Sequence, residues 1–201
     1  MPTKPLRDRL KAAAREEILA AAEQVLADRG IATARVEEIA ERSGVSVGTI
    51  YNYFGDRQGL VQALLEAEKG QLLDKWDREL AASKGRPFAV RLETLLDVTF
   101  AHFDEHRRLF TLLSDDELCG QRLIRRHRSA LKELRARVEQ LTGQAVKEGD
   151  LRPEHRELYP FVIAGTLKSL FAHQVDGEGV ALSGRGKSLV DLFLEGARRR
   201  A

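Results

Sequence analysis

The chain is poor in the residues that build disulfide frameworks, membrane spans and loop-rich domains. Its 201 residues include a single cysteine, Cys119, so an intrachain disulfide is impossible. Five prolines leave most of the chain free to be helical. No apolar run approaches the roughly 20 residues that a membrane-spanning helix needs, and the basic N-terminus lacks the apolar stretch of a signal peptide. These absences predict a soluble protein of the cytoplasm.

Charge alone does not indicate a partner. Apolar residues make up 43% of the chain and charged residues 32%, which is typical of a folded domain, and the net charge of +2 is too small to argue for nucleic acid. A local excess of positive charge lies near the N-terminus, opposed only by Asp8. Such an arm is usually a solvated tail, and it gains meaning only if a neighbouring segment contacts DNA. Its members are Lys4, Arg7, Arg9, Lys11 and Arg15.

Helical periodicity runs through the whole chain, which predicts an all-α fold of about nine helices. Glycine and proline end most of these helices, and Asp56 is the predicted N-cap of a long helix that reaches about Ala82. We expect a DNA-binding domain over residues 10–70 and a larger helical domain over residues 71–201. The predicted helices span about 10–29, 36–43, 47–53, 57–82, 88–103, 109–113, 121–147, 154–175 and 187–199.

The most informative segment is Val36–Gly55, where two short helices are joined by a glycine-containing turn, as in a helix-turn-helix. Ala40 is small where the two helices cross. Gly44 can take the positive φ that ends the first of them, and Ser46 can cap the second. The apolar wedge that fixes their angle comprises Val36, Ile39, Val45 and Ile50.

The second helix of this pair has the character of a recognition helix. Its first turn is small and polar, which suits contact with base edges in the major groove, and the tyrosine hydroxyls that follow suit phosphates. Arg35 and Arg57 place positive charge at either end of the motif. A helical hairpin with two surface tyrosines is the competing interpretation. The predicted DNA contacts are Arg35, Ser46, Val47, Gly48, Thr49, Tyr51, Asn52, Tyr53 and Arg57.

The segment from Ile18 to Leu64 resembles the TetR family of transcriptional regulators. The resemblance rests on Ala21-Ala22, Gly30, Ile39-Ala40, Gly44-Val45-Ser46, Gly48-Thr49-Ile50-Tyr51, Tyr53-Phe54 and Asp56-Arg57. Two positions depart from the family pattern. Arg35 stands where the family usually has a capping Thr or Ser, and Arg57 stands where it usually has Lys. These departures affect single contacts and leave the motif intact.

The resemblance implies a homodimer that binds a palindromic operator and is released by a small-molecule effector. The helices at about 154–175 and 187–199 would form the dimer interface, and the fourth to eighth predicted helices would enclose the effector. Core packing is the competing interpretation of every aromatic residue in this region. The residues proposed to line the effector site are Trp76, Phe100, Phe103, Phe110, His127 and Phe161.

Other functions find little support. The chain lacks the fingerprints of α/β hydrolases, zinc proteases, P-loop proteins and dinucleotide-binding enzymes, so we expect no catalytic residues. His102 and His106 have metal-ligand spacing, but the segment around them resembles a solvated helix end, and we expect no metal or cofactor. A helical ligand carrier without DNA binding would leave Thr49, Tyr51 and Tyr53 without a role. We therefore predict a DNA-binding regulator, most simply a repressor.

Overall fold

The computed structural model describes residues 5–30, 33–107, 121–175 and 181–197, and all of their side chains except those of residues 121–131, 175, 196 and 197. Every regular element in these ranges is helical, which confirms the predicted all-α class. A single turn of 3-10 helix, Pro153–His155, precedes α7. The α-helices are α1 Leu6–Arg29, α2 Val36–Ser43, α3 Val47–Phe54, α4 Arg57–Ala82, α5 Phe88–Glu105, α6 Gln121–Glu148, α7 Tyr159–Val175 and α8 Gly186–Ala197.

Prolines move two helix starts away from the predicted positions. α1 begins at Leu6 and not at Leu10, because Pro5 takes the N-cap position and its carbonyl oxygen accepts the N–H of Asp8 at 2.9 Å. α7 begins at Tyr159 and not near residue 154, because the ring of Pro160 is compatible only with a first helical turn. The short helix predicted at 109–113 lies outside the described residues.

Contacts within the chain divide it into two compact units, Met1–Glu68 (unit 1) and Lys69–Ala201 (unit 2). The boundary falls inside α4, so this helix supplies residues to both units. The finer division into domains 10–70 and 71–201 stays a prediction, since compactness does not test whether either part folds by itself.

The core of unit 1 is built on one face of α1. Ile18, Ala22 and Val25 are buried there, α1 packs against α2, and α2 packs against α3. The first turns of α4 add Leu60 and Leu64 to the same core. The apolar face that the sequence predicts for α1 is therefore the face that positions the helix-turn-helix.

The core of unit 2 is a larger apolar cluster centred on α5. This helix packs against α6 and α8, and α6 packs against α7. The predicted apolar face of α5 is buried throughout. Its buried members include Phe88, Leu92, Leu95, Leu96, Thr99 and Phe103.

Two aspartates of α5 fix the segment that leads into α8. Asp104 accepts the backbone N–H and the hydroxyl of Ser183 at 3.0 and 2.6 Å, and Asp97 accepts the backbone N–H of Gly186 at 3.1 Å. The Asp97 bond satisfies an N–H that the first turn of a helix leaves without an intrahelical partner. These bonds hold the start of α8 against α5.

A bidentate ion pair joins α4 to α6 within unit 2. Arg137 donates to both oxygens of Asp77, at 2.8 and 2.7 Å. These hydrogen bonds lower the pKa of Asp77 and raise that of Arg137. The stabilisation is therefore complete above the ordinary aspartate pKa of 3.8 and is lost as the pH falls below it. Because Asp77 is solvent-exposed, the pair contributes no more than about 1 kcal/mol.

Within the described ranges, no helix combines the length and the apolar character that crossing a membrane would require.

Two glycines of α4 differ sharply in the space around them. Gly59 lies in the first turn, where its N–H donates to the capping carboxylate of Asp56 at 2.7 Å, and an added Cβ would collide with the carbonyl oxygen of Phe54. An added Cβ at Gly70 would meet no atom within 4 Å. Only the first glycine is therefore required by packing.

We predict that Gly59→Ala lowers the free energy of unfolding by about 1–3 kcal/mol, because backbone must move to admit the methyl group. Gly70→Ala should raise it by roughly 0.5–1 kcal/mol, because alanine reduces the entropy of the unfolded chain and favours helix. Urea unfolding followed by circular dichroism measures both. Equal stability of the two variants would contradict the assignment.

Candidate nucleic-acid interface

The turn between α2 and α3 has the backbone geometry that the sequence predicts. Gly44 adopts the left-handed conformation, with φ 69° and ψ 21°. Its N–H donates to the carbonyl of Glu41 at 3.3 Å, and the N–H of Val45 donates to that of Ala40 at 3.1 Å. These bonds satisfy carbonyls that the end of α2 leaves open. A residue with a Cβ would be strained at this φ, so Gly44 sets the direction in which α3 leaves the turn.

Ser46 caps α3 as predicted. Its hydroxyl oxygen accepts the backbone N–H of Thr49 at 3.1 Å and lies 2.9 Å from the Thr49 hydroxyl. The cap fixes the first turn of α3, and the two hydroxyls are mutually oriented. Val47 and Gly48 occupy this turn, whose N-terminal end carries the positive end of the helix dipole.

The outward face of α3 combines a small residue with polar side chains. Gly48 and Asn52 are exposed, and Tyr51 keeps 43% of its surface accessible. Val47, Thr49 and Tyr53 are half-buried, and Ile50 faces the core of unit 1. An added Cβ at Gly48 would meet nothing nearer than the Ser46 hydroxyl oxygen at 3.8 Å. The helix therefore offers a surface that another molecule can approach closely at its first turn.

The two arginines at the ends of the motif differ in their surroundings. Arg35 is exposed at the N-cap position of α2 and makes no side-chain capping bond, as its chemistry requires. Arg57 is half-buried and donates from its guanidinium to the backbone carbonyl of Ala34 at 3.1 Å. Arg57 thus braces the segment before α2, a role that sequence alone does not reveal because the acceptor is a backbone atom 23 residues away.

A contact that the sequence analysis missed joins α1 to the end of α3. The guanidinium of Arg15 lies over the ring of Phe54, 5.5 Å from its centre. This is the geometry of a cation–π interaction. It places one residue of the basic N-terminal arm next to the predicted recognition helix.

In unit 2, three of the residues predicted to line an effector site are buried in one aromatic cluster. Trp76 donates its indole N–H to the Thr99 hydroxyl at 2.9 Å. Phe103 stacks on Phe171 at 4.2 Å between ring centres, and Phe100 meets the same ring edge-on at 6.3 Å. Phe171 was not among the predicted residues. Its position within an apolar α7 gave no signal that it would face α5.

The other predicted lining residues are placed differently. Phe161 is 60% exposed on α7, with the guanidinium of Arg135 5.0 Å from its ring centre, and it lines an open surface groove. It does not belong to the buried cluster, because the apolar α7 has an outward as well as an inward face. Phe110 and the side chain of His127 lie outside the described residues.

The histidine segment of α5 corrects a further expectation. His102 is 1% exposed and not solvated, and its ring centre lies 4.5 Å from that of His106. Lys75 of α4 approaches the His102 Nδ1 to 3.4 Å and the Glu105 carboxylate to 3.4 Å. Several neighbours of these histidines in the sequence are charged, so the sequence pattern did not predict that this face of α5 is buried.

A family profile described as "Bacterial regulatory proteins, tetR family" matches residues 18–64, the segment from the buried face of α1 to the start of α4. The "Probable HTH-type transcriptional regulator ArpR" of Pseudomonas putida is 30% identical over 152 residues, which cover 70% of this chain and 69% of that protein. The "HTH-type transcriptional repressor KstR2" of Mycobacterium tuberculosis is 26% identical over 145 residues, 70% of either chain.

A solved structure agrees over nearly the whole chain. The transcriptional regulator FadR from Bacillus subtilis, in complex with stearoyl-CoA, superposes with a TM-score of 0.76. The match covers 90% of this chain and 98% of that one, at 20% sequence identity. At this identity the likeness is one of fold.

Proposed function

Because the chain belongs to the TetR family of bacterial regulatory proteins, we propose that it is a repressor that binds a palindromic operator as a homodimer and is released by a small-molecule effector. It is a transcriptional regulator, like the relatives that it matches. The observation that carries the finer proposal is the capped first turn of α3, whose outward face is open to a large partner.

The surface of α3 fits the major groove in chemical detail. Gly48 leaves room for close approach of backbone to the groove, and Val47 offers a methyl surface of the kind that meets thymine. Asn52 is exposed and can hydrogen-bond an adenine edge, whereas the Tyr51 hydroxyl suits a phosphate. Arg35 adds an exposed positive charge at the start of α2. Because Arg57 donates a hydrogen bond to the Ala34 carbonyl, we assign it chiefly a structural role in the helix-turn-helix.

We predict that Tyr51→Ala weakens DNA binding on all sequences alike, whereas Asn52→Ala relaxes selectivity at one base pair by roughly 1–3 kcal/mol. The probe is a duplex selected from a random pool by the purified wild-type protein, compared with a scrambled duplex of equal length. Fluorescence anisotropy gives both affinities.

Lys84→Ala serves as the control, since this exposed residue belongs to unit 2 and its loss removes a charge without touching α3. Wild-type affinity and selectivity in both α3 variants would reject α3 as the recognition helix. Failure of the wild-type protein to select any sequence would reject the operator proposal itself.

The dimer proposal rests on an apolar surface of unit 2. Within the described part of this unit, the large apolar side chains that are exposed belong to α7, the residue just before it, and α8. They are Leu158, Phe161, Val162 and Leu192. Exposed apolar surface of this kind is typical of an interface. Gly165 and Ala172 continue the outward face of α7 with small residues, which permit close approach of a second helix.

We predict that Leu192→Glu converts the protein from dimer to monomer at micromolar concentration, because it buries a charge in the proposed interface. Leu192 is 69% exposed in the single chain. The matched control is Leu10→Glu, an equal change at a leucine of unit 1 that is 62% exposed. Sedimentation velocity measures the mass. A dimeric Leu192→Glu protein, or a monomeric wild type, would count against this interface.

The effector proposal rests on the aromatic cluster around Trp76, Phe103 and Phe171. The rings of Trp76 and Phe103 are buried and that of Phe171 is half-buried, so they offer flat apolar surface, with the Thr99 hydroxyl as one polar group among them. A ligand that enters this cluster must carry an extended apolar part. The fold-related FadR was solved with stearoyl-CoA, which makes that thioester a reasoned first probe.

Trp76 is the one tryptophan of the chain, so its fluorescence reports directly on the cluster. We predict that stearoyl-CoA changes Trp76 emission at the same concentration at which it releases the selected duplex. Thr99→Val, which removes the acceptor of the indole N–H, should shift the emission before ligand is added. Release of DNA without any change in Trp76 emission would place the effector elsewhere. The absence of both effects would exclude this thioester as the effector.

A further inference from the structure

The first half of α1 extends beyond the core of unit 1. Buried contacts of α1 begin at Ile18, whereas the side chains from Leu6 to Glu17 are exposed apart from that of Ala14, which is half-buried. About three helical turns are therefore presented to the surroundings. A helical stretch gains most of its stability from packing. Contact with another molecule would therefore stabilise this exposed extension.

Positive charge on this extension is ordered along the helix. Arg7, Lys11 and Arg15 lie at spacings of four residues, so they form a single stripe on one side of α1. At a rise of 1.5 Å per residue, the stripe is about 12 Å long. Arg9 lies to one side of it, and Asp8 is the only acid between residues 6 and 15. Glu16 and Glu17 follow at the inner end of the extension, so the excess of positive charge lies over residues 6–15, whereas residues 18–68 carry more acidic than basic side chains.

The inner end of the basic stripe contacts the C-terminal end of α3. Arg15, at its inner end, holds its guanidinium 5.5 Å from the ring centre of Phe54, the last residue of α3. The stripe therefore starts beside the recognition helix and runs away from it along α1. A long, rigid and regularly charged molecule that binds α3 can therefore contact the stripe as well.

We propose that Arg7, Lys11 and Arg15 form a second DNA contact, which binds backbone phosphates next to the base pairs that α3 reads. This inference rests on the proposed function. The phosphate spacing of duplex DNA gives such a row several partners, and neutralising them releases bound counterions. The contact supplies affinity without sequence preference, because phosphates carry no sequence information directly.

The test is the double variant Arg7→Gln/Lys11→Gln, which removes two charges and leaves Arg15 in contact with Phe54. Glutamine keeps a high helix propensity, so the extension stays helical, as circular dichroism will verify. The charge-matched control is Lys84→Gln/Arg86→Gln, which changes two exposed residues between α4 and α5. Affinity is measured from 50 to 300 mM salt on the selected duplex and on its scrambled counterpart.

We expect the slope of log affinity against log salt to become less steep by about 4 in the Arg7/Lys11 variant, because each protomer of the bound dimer loses two phosphate contacts at about 0.9 each. The change should be equal on both duplexes, and the control should keep the wild-type slope. A wild-type slope in the Arg7/Lys11 variant overturns the inference, while the proposed function stands as long as the wild-type protein still distinguishes the two duplexes. A loss confined to the selected duplex also overturns it, because the stripe would then read bases.

Vesicles of phosphatidylcholine with phosphatidylserine separate DNA from a second anionic partner. Leu6 and Leu10 lie beside the stripe and are 68% and 62% exposed, so the same helix has an apolar edge. We expect no difference between the wild-type protein and the Arg7/Lys11 variant in vesicle sedimentation. Vesicle binding that the variant loses while its salt slope on DNA is unchanged would assign the stripe to a membrane surface and overturn the DNA assignment.

Discussion

The left-handed conformation of Gly44 is the constraint on which the functional surface of unit 1 depends. It ends α2, and the N–H groups of Gly44 and Val45 close the turn onto carbonyls of α2. Ser46 then starts α3 with a side-chain cap. Both features act through hydrogen bonds within unit 1. Together they decide where the first turn of α3 points, and the exposed residues of that turn can act only because this direction is fixed.

Unit 2 shows how one helix can be apolar on two sides for different reasons. On the inner side of α7, Phe171 packs against Phe100 and Phe103. On the outer side, Phe161 and Val162 are exposed. No element of the described part of unit 2 covers this outer face, so it is available to a second copy. The effector site and the dimer interface that we propose therefore lie on opposite faces of α7.

The position of α8 depends on α5 in a way that links these two surfaces. Asp97 and Asp104 of α5 bind the segment that begins α8, while the apolar side of α5 carries Phe100 and Phe103. A ligand that alters the packing of those rings therefore acts on the helix that also holds α8. Coupling through one rigid element is a physical route by which a buried ligand affects a distant surface, and couplings of about 1–3 kcal/mol are sufficient for a switch.

The sequence by itself determined the all-α class, the turn at Gly44, the caps at Ser46 and Asp56, and the buried faces of α1 and α5. Each of these follows from local chemistry: a positive φ, a short side-chain acceptor, or an apolar repeat near 3.6 residues. It could also indicate the family, because the motif around α3 is itself local.

Tertiary structure decided the rest. Arg57 binds a backbone carbonyl far away in the chain, Arg15 meets Phe54, His102 is buried, and Phe161 is exposed. Periodicity shows that a face is apolar or polar, but it does not show what lies opposite. The role of a side chain on an ambiguous face is set by whichever element packs there, and that is a property of the folded chain.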